Sequence, residues 1–169
     1  MHEIAGLFRR LPLGVYVVGA ADAERRDAFT AAWVTQVSFD PPLLVVSVNP
    51  QNASYSILRA SGAFTINVLK QGQLELARRF GTRSGREEDK LADVRWHRGR
   101  SGSPILDEAL AYFDCEVTTT LAAGDHVLVI GRVIDGRILD ADAVPMTYAD
   151  TGDMDGSTAL YPSRFRESR

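Results

Sequence analysis

The chain has 169 residues, 45% of them hydrophobic and 24% charged, with a formal net charge of -3. That length carries one domain with a real core. The charge balance offers no basic stripe, which argues against nucleic acid and against an anionic membrane surface. No apolar run reaches the ~20 residues of a spanning helix. The single cysteine, Cys115, cannot close an internal disulfide, and a reducing cytoplasm is its natural setting. With His2, His97 and His126 scattered, no zinc pattern can be written and no metal is expected.

At the start of the chain Ile4, Leu7, Phe8 and Leu11 recur at helical spacing, without the basic start and long apolar stretch of a signal peptide. Residues 13–20 read as an apolar, β-branched strand that ends in a charged turn over 22–27. Residues 29–39 form a second extended run, stopped by Pro41-Pro42 because proline donates no ladder hydrogen bond. Residues 43–48 are continuously apolar, which suits a buried strand. A helix follows: Asn52 or Ser54 caps it, Tyr55, Ile57 and Leu58 give it an apolar side, and Gly62 ends it. Residues 64–69 return to strand. Residues 73–80 read as a helix with Leu74, Ala77 and Phe80 inward and Gly81 as its stop, ahead of a polar loop over 82–90. Residues 109–121 and 127–139 are the longest strand signals, joined by the turn segment Ala122-Ala123-Gly124-Asp125-His126. Residues 151–157 are rich in Gly and Asp and read as irregular; they lack the glutamate that completes a calcium loop. Many strands with short helices predict a β-barrel or sandwich with helical decoration.

Four segments have the residue types for chemistry. Thr30-Ala31-Ala32-Trp33-Val34-Thr35 sets small side chains and hydroxyls beside one large aromatic, which suits a flat heteroaromatic ligand. The same residues equally suit a plain strand with Trp33 and Val37 in the core. Asn49-Pro50-Gln51-Asn52-Ala53-Ser54-Tyr55-Ser56 precedes a helix, whose N-terminus favours anions; a simple N-cap explains it as well. His126 in Gly124-Asp125-His126 is placed to meet a ligand or to be an idle surface histidine. Lys90 is either a flexible phosphate neutraliser or a solvated lysine. No G-x-G-x-x-G, P-loop or G-x-S-x-G occurs, and Cys115 among apolar neighbours reads as an inert buried thiol.

Taken in order, several segments resemble the flavin reductase-like, FMN-binding split-barrel family. They are Leu13-Gly14-Val15-Tyr16-Val17-Val18, the run from Phe29 through Asp40-Pro41-Pro42-Leu43, Phe64-Thr65-Ile66-Asn67-Val68-Leu69, Leu76-Ala77-Arg78-Arg79-Phe80, Gly102-Ser103-Pro104-Ile105-Leu106, Phe113-Asp114-Cys115-Glu116-Val117 and Gly124-Asp125-His126. The Ala32-Trp33-Val34-Thr35-Gln36 version is similar to the flavin domains attached to diiron flavoproteins and to flavoredoxins. Asp27-Ala28-Phe29 stands where many two-component reductases carry Asn-Gly.

The resemblance implies a mainly β, Greek-key split barrel over residues 1–148 and a C-terminal arm over 149–169. It implies a homodimer with FMN near the subunit interface, FAD being the alternative flavin. Thr30, Ala31, Ala32, Trp33, Val34 and Thr35 would line the ring, with Asn67, Val68 and Leu69 along it. Asn49, Asn52, Ser54 and Tyr55, with Lys90, would hold the phosphate. His126 would be the catalytic residue at the nicotinamide or flavin edge. The implied activity is hydride transfer from NADH or NADPH to flavin, serving a monooxygenase or other redox protein. Tightly bound FMN that exchanges electrons with a protein partner is the alternative, and a split barrel holding another ligand is a third. The arm is expected to cross the dimer, with Tyr161 and Phe165 packing over the flavin or the partner.

Overall fold

A computed structural model describes residues 4–165. Seven strands form one antiparallel sheet: β1 (Tyr16–Ala21), β2 (Arg26–Ala31), β3 (Val34–Ser38), β4 (Leu43–Val48), β5 (Ala63–Val68), β8 (Ala111–Ala123) and β9 (His126–Ile138). A two-stranded ribbon pairs β6 (Trp96–Arg98) with β7 (Pro104–Leu106). Three helices accompany them, α1 (Ile4–Phe8), α2 (Ala53–Ser61) and α3 (Leu74–Thr82). The chain is mainly β, as the sequence indicates.

The order across the large sheet is β2-β1-β5-β8-β9-β4-β3. Its two outer strands, β2 and β3, are consecutive in the chain and joined by Ala32 and Trp33 alone. Consecutive Cα atoms lie about 3.8 Å apart, so the linked strand ends are within roughly 11 Å of each other. A seven-stranded sheet meets that limit only by curling its edges together, which makes a barrel with its seam at Ala32-Trp33.

Inside the curl pack Val18, Phe29, Ala31, Val46, Phe64, Ile66 and Val129. Opposed residues of an antiparallel pair share a face, and Val18 lies opposite Phe29. Outside it, Val17 and Ala28 pack with Leu69, Leu91 and Leu106 and with Ala77 and Phe80 of α3. β1 is therefore covered on both sides, which explains its unbroken apolar run.

Several sequence expectations change in detail. The extended run over 29–39 is two strands, broken at the seam where no Gly or Pro marks it. The charged turn is shorter than expected: Asp22 Oδ1 accepts from Glu24 N and Arg25 N, and β2 begins at Arg26. Asn52 caps α2, its side chain accepting from Ser54 N, and Gly62 closes that helix at φ 66°. Gly81 does not stop α3, which continues to Thr82. The β8–β9 turn is only Gly124-Asp125, where Gly124 takes φ 65°. The helical spacing at the start of the chain is realised as α1, with Leu7 and Phe8 exposed. Among the described residues, no helix is long and apolar enough to cross a membrane.

The expected arm folds back on its own chain as far as it is described. Tyr148–Thr151 and Ser157–Leu160 are short 3-10 turns. The Tyr161 ring stacks on Phe8, centroids 6.1 Å apart. Residues 166–169 of that arm and residues 1–3 lie outside the described residues.

Candidate functional site

Two openings lie beside the seam. One is a cavity of about 440 Å³, its open mouth included, between the end of β2 and the C-terminal segment, lined by Val15, Thr30, Ala31, Ala32, Gly81, Tyr148, Thr151, Met154 and Asp155. The other is a cleft of about 600 Å³, including its open mouth, that runs past Thr30 and Gly81 to Gln51, Asn52, Ala53, Arg83, Ser84 and Arg86. Thr30 and Gly81 line both openings. A Cβ on Gly81 would stand 3.3 Å from Thr30 Cβ and 3.6 Å from Met154 Cε. Glycine lets α3 lie close against β2 and the C-terminal segment there.

The two openings differ in charge. The cleft has two guanidinium groups and the N-terminal end of α2, where the helix dipole is positive. Arg86 donates to Gln51 O at 3.2 Å, and Arg83 pairs with Glu88 at 3.2 Å. The cavity has apolar side chains, hydroxyls and the Asp155 carboxylate, and no cation among its lining residues. Tyr148 Oη donates to Asp155 Oδ2 at 2.9 Å, and Thr151 Oγ1 donates to Tyr148 O at 2.7 Å. Burial pushes the Tyr148 phenol up, so it stays a neutral hydroxyl. Thr30 Oγ1 donates to Ala77 O at 2.6 Å, which fixes β2 to α3 and leaves the hydroxyl oxygen its acceptor capacity.

Beneath the cleft lies a buried ion pair. Lys90 Nζ stands 3.3 Å from Asp27 Oδ1, and Ser54 Oγ donates to Asp27 Oδ2 at 2.7 Å. Lys90 is thus neither a flexible loop cation nor a solvated lysine: its side chain is 2% exposed. Burying that charge requires the partner carboxylate. The loop carrying Gly85 lies so close that a Cβ there would be 2.2 Å from Asp27 Oδ2.

Across the seam, Trp33 stands half-exposed with its ring 5.0 Å from that of His126, the planes tilted by 55°. His126 Nδ1 is 2.7 Å from Asp125 Oδ1. Val34 packs on the barrel core and Thr35 faces outward on β3.

The sequence-selected residues therefore divide. Thr30, Ala31 and Ala32 border the cavity; Asn52 and the buried Lys90 border the cleft. Trp33 and His126 form a separate ring pair. Asn49 folds its side chain onto Gln51 N at 2.9 Å. Ser54 is spent on Asp27, and the Tyr55 ring lies under Arg59. Asn67 is fully buried: its Nδ2 donates to Val17 O at 3.1 Å and its Oδ1 accepts from Leu106 N at 2.8 Å. It fastens β7 to the sheet and does not border either opening, and Leu69 is buried in the outer core. Val68, partly exposed, continues β5 in the ladder with β1 and β8.

Sequence reasoning missed Arg83, Ser84, Arg86, Tyr148 and Met154. Arg83, Ser84 and Arg86 fall in a charged stretch that looks like any solvated loop. Tyr148 and Met154 reach the site only through long-range folding of the C-terminal segment. The small residues of β2 suit close approach by a flat ring, and the cationic cleft beside them suits an anionic tail. A flavin mononucleotide has both parts, and the residues present fit it.

Comparison with known proteins assigns the class. The chain matches the flavin reductase like domain over residues 8–157 and belongs to that family. Over 141 residues it is 38% identical to the high molecular weight rubredoxin of Moorella thermoacetica, a match covering 82% of this chain and 61% of that protein. It superposes on the FMN-binding protein from Thermus thermophilus with a TM-score of 0.75 at 32% identity, covering 80% of this chain and 76% of the other. It superposes on the NADH:FAD oxidoreductase of Streptomyces globisporus with a TM-score of 0.78 at 30% identity, covering 83% and 84%. The chain spans 23–61% of the length of the first curated relatives it matches.

Proposed function

We propose that this protein binds FMN across the two openings and transfers hydride to it from NADH or NADPH, acting in the cytoplasm as a homodimer. The observation that carries the reading is the polarity of the site: a cationic cleft and an uncharged-to-acidic cavity side by side, with Thr30 and Gly81 lining both. The phosphate belongs with Arg83, Arg86 and the start of α2, and the ring with Thr30, Ala31 and Ala32. FAD is the alternative flavin, since the mouth of the cleft is open.

The flavin supplies the hydride-accepting ring, so no protein nucleophile is needed. The chain's own residues bind, orient and exclude water. His126, held by Asp125 against Trp33, is the residue we assign to the nicotinamide. Dimerisation accords with the exposed Trp33, Val37 and Phe39 on and beside the edge strand β3, and with Leu121 at the β8–β9 tip. A monooxygenase or another redox protein would be the partner served by the bound flavin's redox chemistry.

A second reading is an electron-transfer module that holds FMN tightly and uses nicotinamides poorly. The likeness to a high molecular weight rubredoxin favours it. An anaerobic visible spectrum with FMN, before and after NADH and then NADPH, separates the two. Bleaching faster than that of free FMN supports the reductase. A bound-flavin spectrum that neither donor bleaches supports the module, and no bound flavin removes both.

A further inference from the structure

The C-terminal segment is built into the site by contacts from two other parts of the chain and by bonds within itself. Tyr148 N donates to Leu13 O at 2.8 Å, which starts the segment beside β1. Tyr148 Oη ties it to Asp155 and, at 2.7 Å, to Ser157 Oγ. Arg9, just beyond α1, clasps its far side: Nη2 is 2.5 Å from Asp153 Oδ1 and also bonds Thr158 Oγ1. The result places Met154 and Asp155 in the lining of the cavity together with Thr30, Ala31 and Ala32.

The chemistry of this wall says which end of a ligand it takes. Met154 offers a polarizable thioether and Asp155 offers acceptors, with no cation to meet a phosphate. An anionic tail is repelled here and drawn to Arg83 and Arg86 in the adjoining cleft. A flat, uncharged heteroaromatic ring with N–H donors is accepted.

Resting on the flavin reading above, we infer that residues 148–155 are the second wall of the flavin-ring site, with Met154 a ring-contact residue and Arg9 the positioning residue that clasps the wall shut. Truncating Met154 removes contact from the ring end only. Loosening Arg9 lets the wall open and admits water. Because both act on the ring and not on the phosphate, each weakens FMN and riboflavin by the same factor.

The test measures dissociation constants of oxidised FMN and of riboflavin for the wild type, Met154→Ala, Arg9→Ala and the charge swap Arg9→Asp with Asp153→Arg. Met154→Ala is expected to weaken both ligands about three- to tenfold, as a lost apolar contact does. Arg9→Ala is expected to weaken both about two- to fivefold, the range of an exposed ion pair. It should also blur the vibronic shoulders that a dry flavin shows in its visible band. The charge swap should restore affinity and shoulders, which a general loss of stability would not do; thermal melting of each apo variant checks the fold. Unchanged affinities and spectra in Met154→Ala and Arg9→Ala, with wild type binding FMN, would overturn this inference and leave the flavin reading standing. Loss of FMN affinity alone, riboflavin unaffected, would overturn it too, by assigning the wall to the phosphate. Failure of the wild type to bind either ligand would bring down the flavin reading and this wall with it.

Discussion

Asp27 Oδ1 stands 3.3 Å from Lys90 Nζ beneath the cleft, with both side chains shut away from solvent. This pair joins β2 to the loop that carries Arg83 and Arg86, and Ser54 brings α2 to the same carboxylate. Asp27→Ala strands the Lys90 ammonium in a dry place. Breaking a buried pair by removing one partner costs about 3–5 kcal/mol, and at ~2–4 °C per kcal/mol the melting temperature falls by roughly 6–20 °C. Asp27→Leu combined with Lys90→Met removes both charges and recovers most of that loss. Urea denaturation of the single and double variants decides; a single variant as stable as wild type contradicts the role given to the pair.

Asn67 holds the β6–β7 ribbon against the barrel through its buried amide. Asn67→Ala leaves Leu106 N and Val17 O with a lost partner each. A buried polar group left unpaired costs about 1–3 kcal/mol. The expected outcome is a loss of stability in that range, with faster amide exchange at Leu106 than at residues of β9. Uniform exchange rates would show that the ribbon does not depend on Asn67.

What was legible in the sequence was local. The Asn52 cap and the β8–β9 hairpin follow from residues a few positions apart, and the unbroken apolar run of β1 follows from its burial on both sides. The break at Ala32-Trp33 was not legible, because neither residue disrupts a strand; it exists because the sheet must close there. Lys90 misled because charge in a polar loop resembles solvation, and only the fold brings Asp27 to it. Met154 and Tyr148 were invisible for the same reason: they meet β2 from more than a hundred residues away in sequence.

The carboxyl of Asp125 is held below the usual carboxylate range, chiefly by its hydrogen bond to His126 and then by the charge of that ring. A carboxylate depressed in the folded state adds stability above its unfolded pKa of about 3.9 and loses it as pH falls through the lower folded value. Replacing His126 by Ala removes both causes. The Asp125 carboxyl, followed by NMR, should then titrate upward toward an ordinary aspartate, and the acid limb of stability should shift to slightly higher pH. The same variant should slow nicotinamide-dependent reduction more than it weakens FMN binding; equal effects, or none, would remove His126 from the reaction.

Cys115 faces Phe64 and Gly131 inside the barrel, where burial and then the neighbouring Asp114 push its thiol up to about 12. The reactive form of a thiol is the thiolate, so almost none exists at neutral pH. A disulfide reagent is expected to leave the folded protein unmodified for hours and to titrate one thiol per chain in denaturant. Rapid modification of the native protein would show that the barrel interior opens at that strand.

Arg86 gives the sharpest test of where a phosphate would lie. Its guanidinium reaches across the cleft to Gln51 O, beside the first residues of α2. A hydrogen bond to a charged group contributes about 1.5–3 kcal/mol, so Arg86→Ala should weaken FMN by roughly one to two orders of magnitude at low salt. Riboflavin, which has no phosphate, should bind the variant and the wild type alike. Raising the ionic strength should narrow the FMN gap, since an open cleft is screened. If riboflavin suffers as much as FMN, Arg86 acts on the ring or on the fold, and the phosphate has to be sought elsewhere.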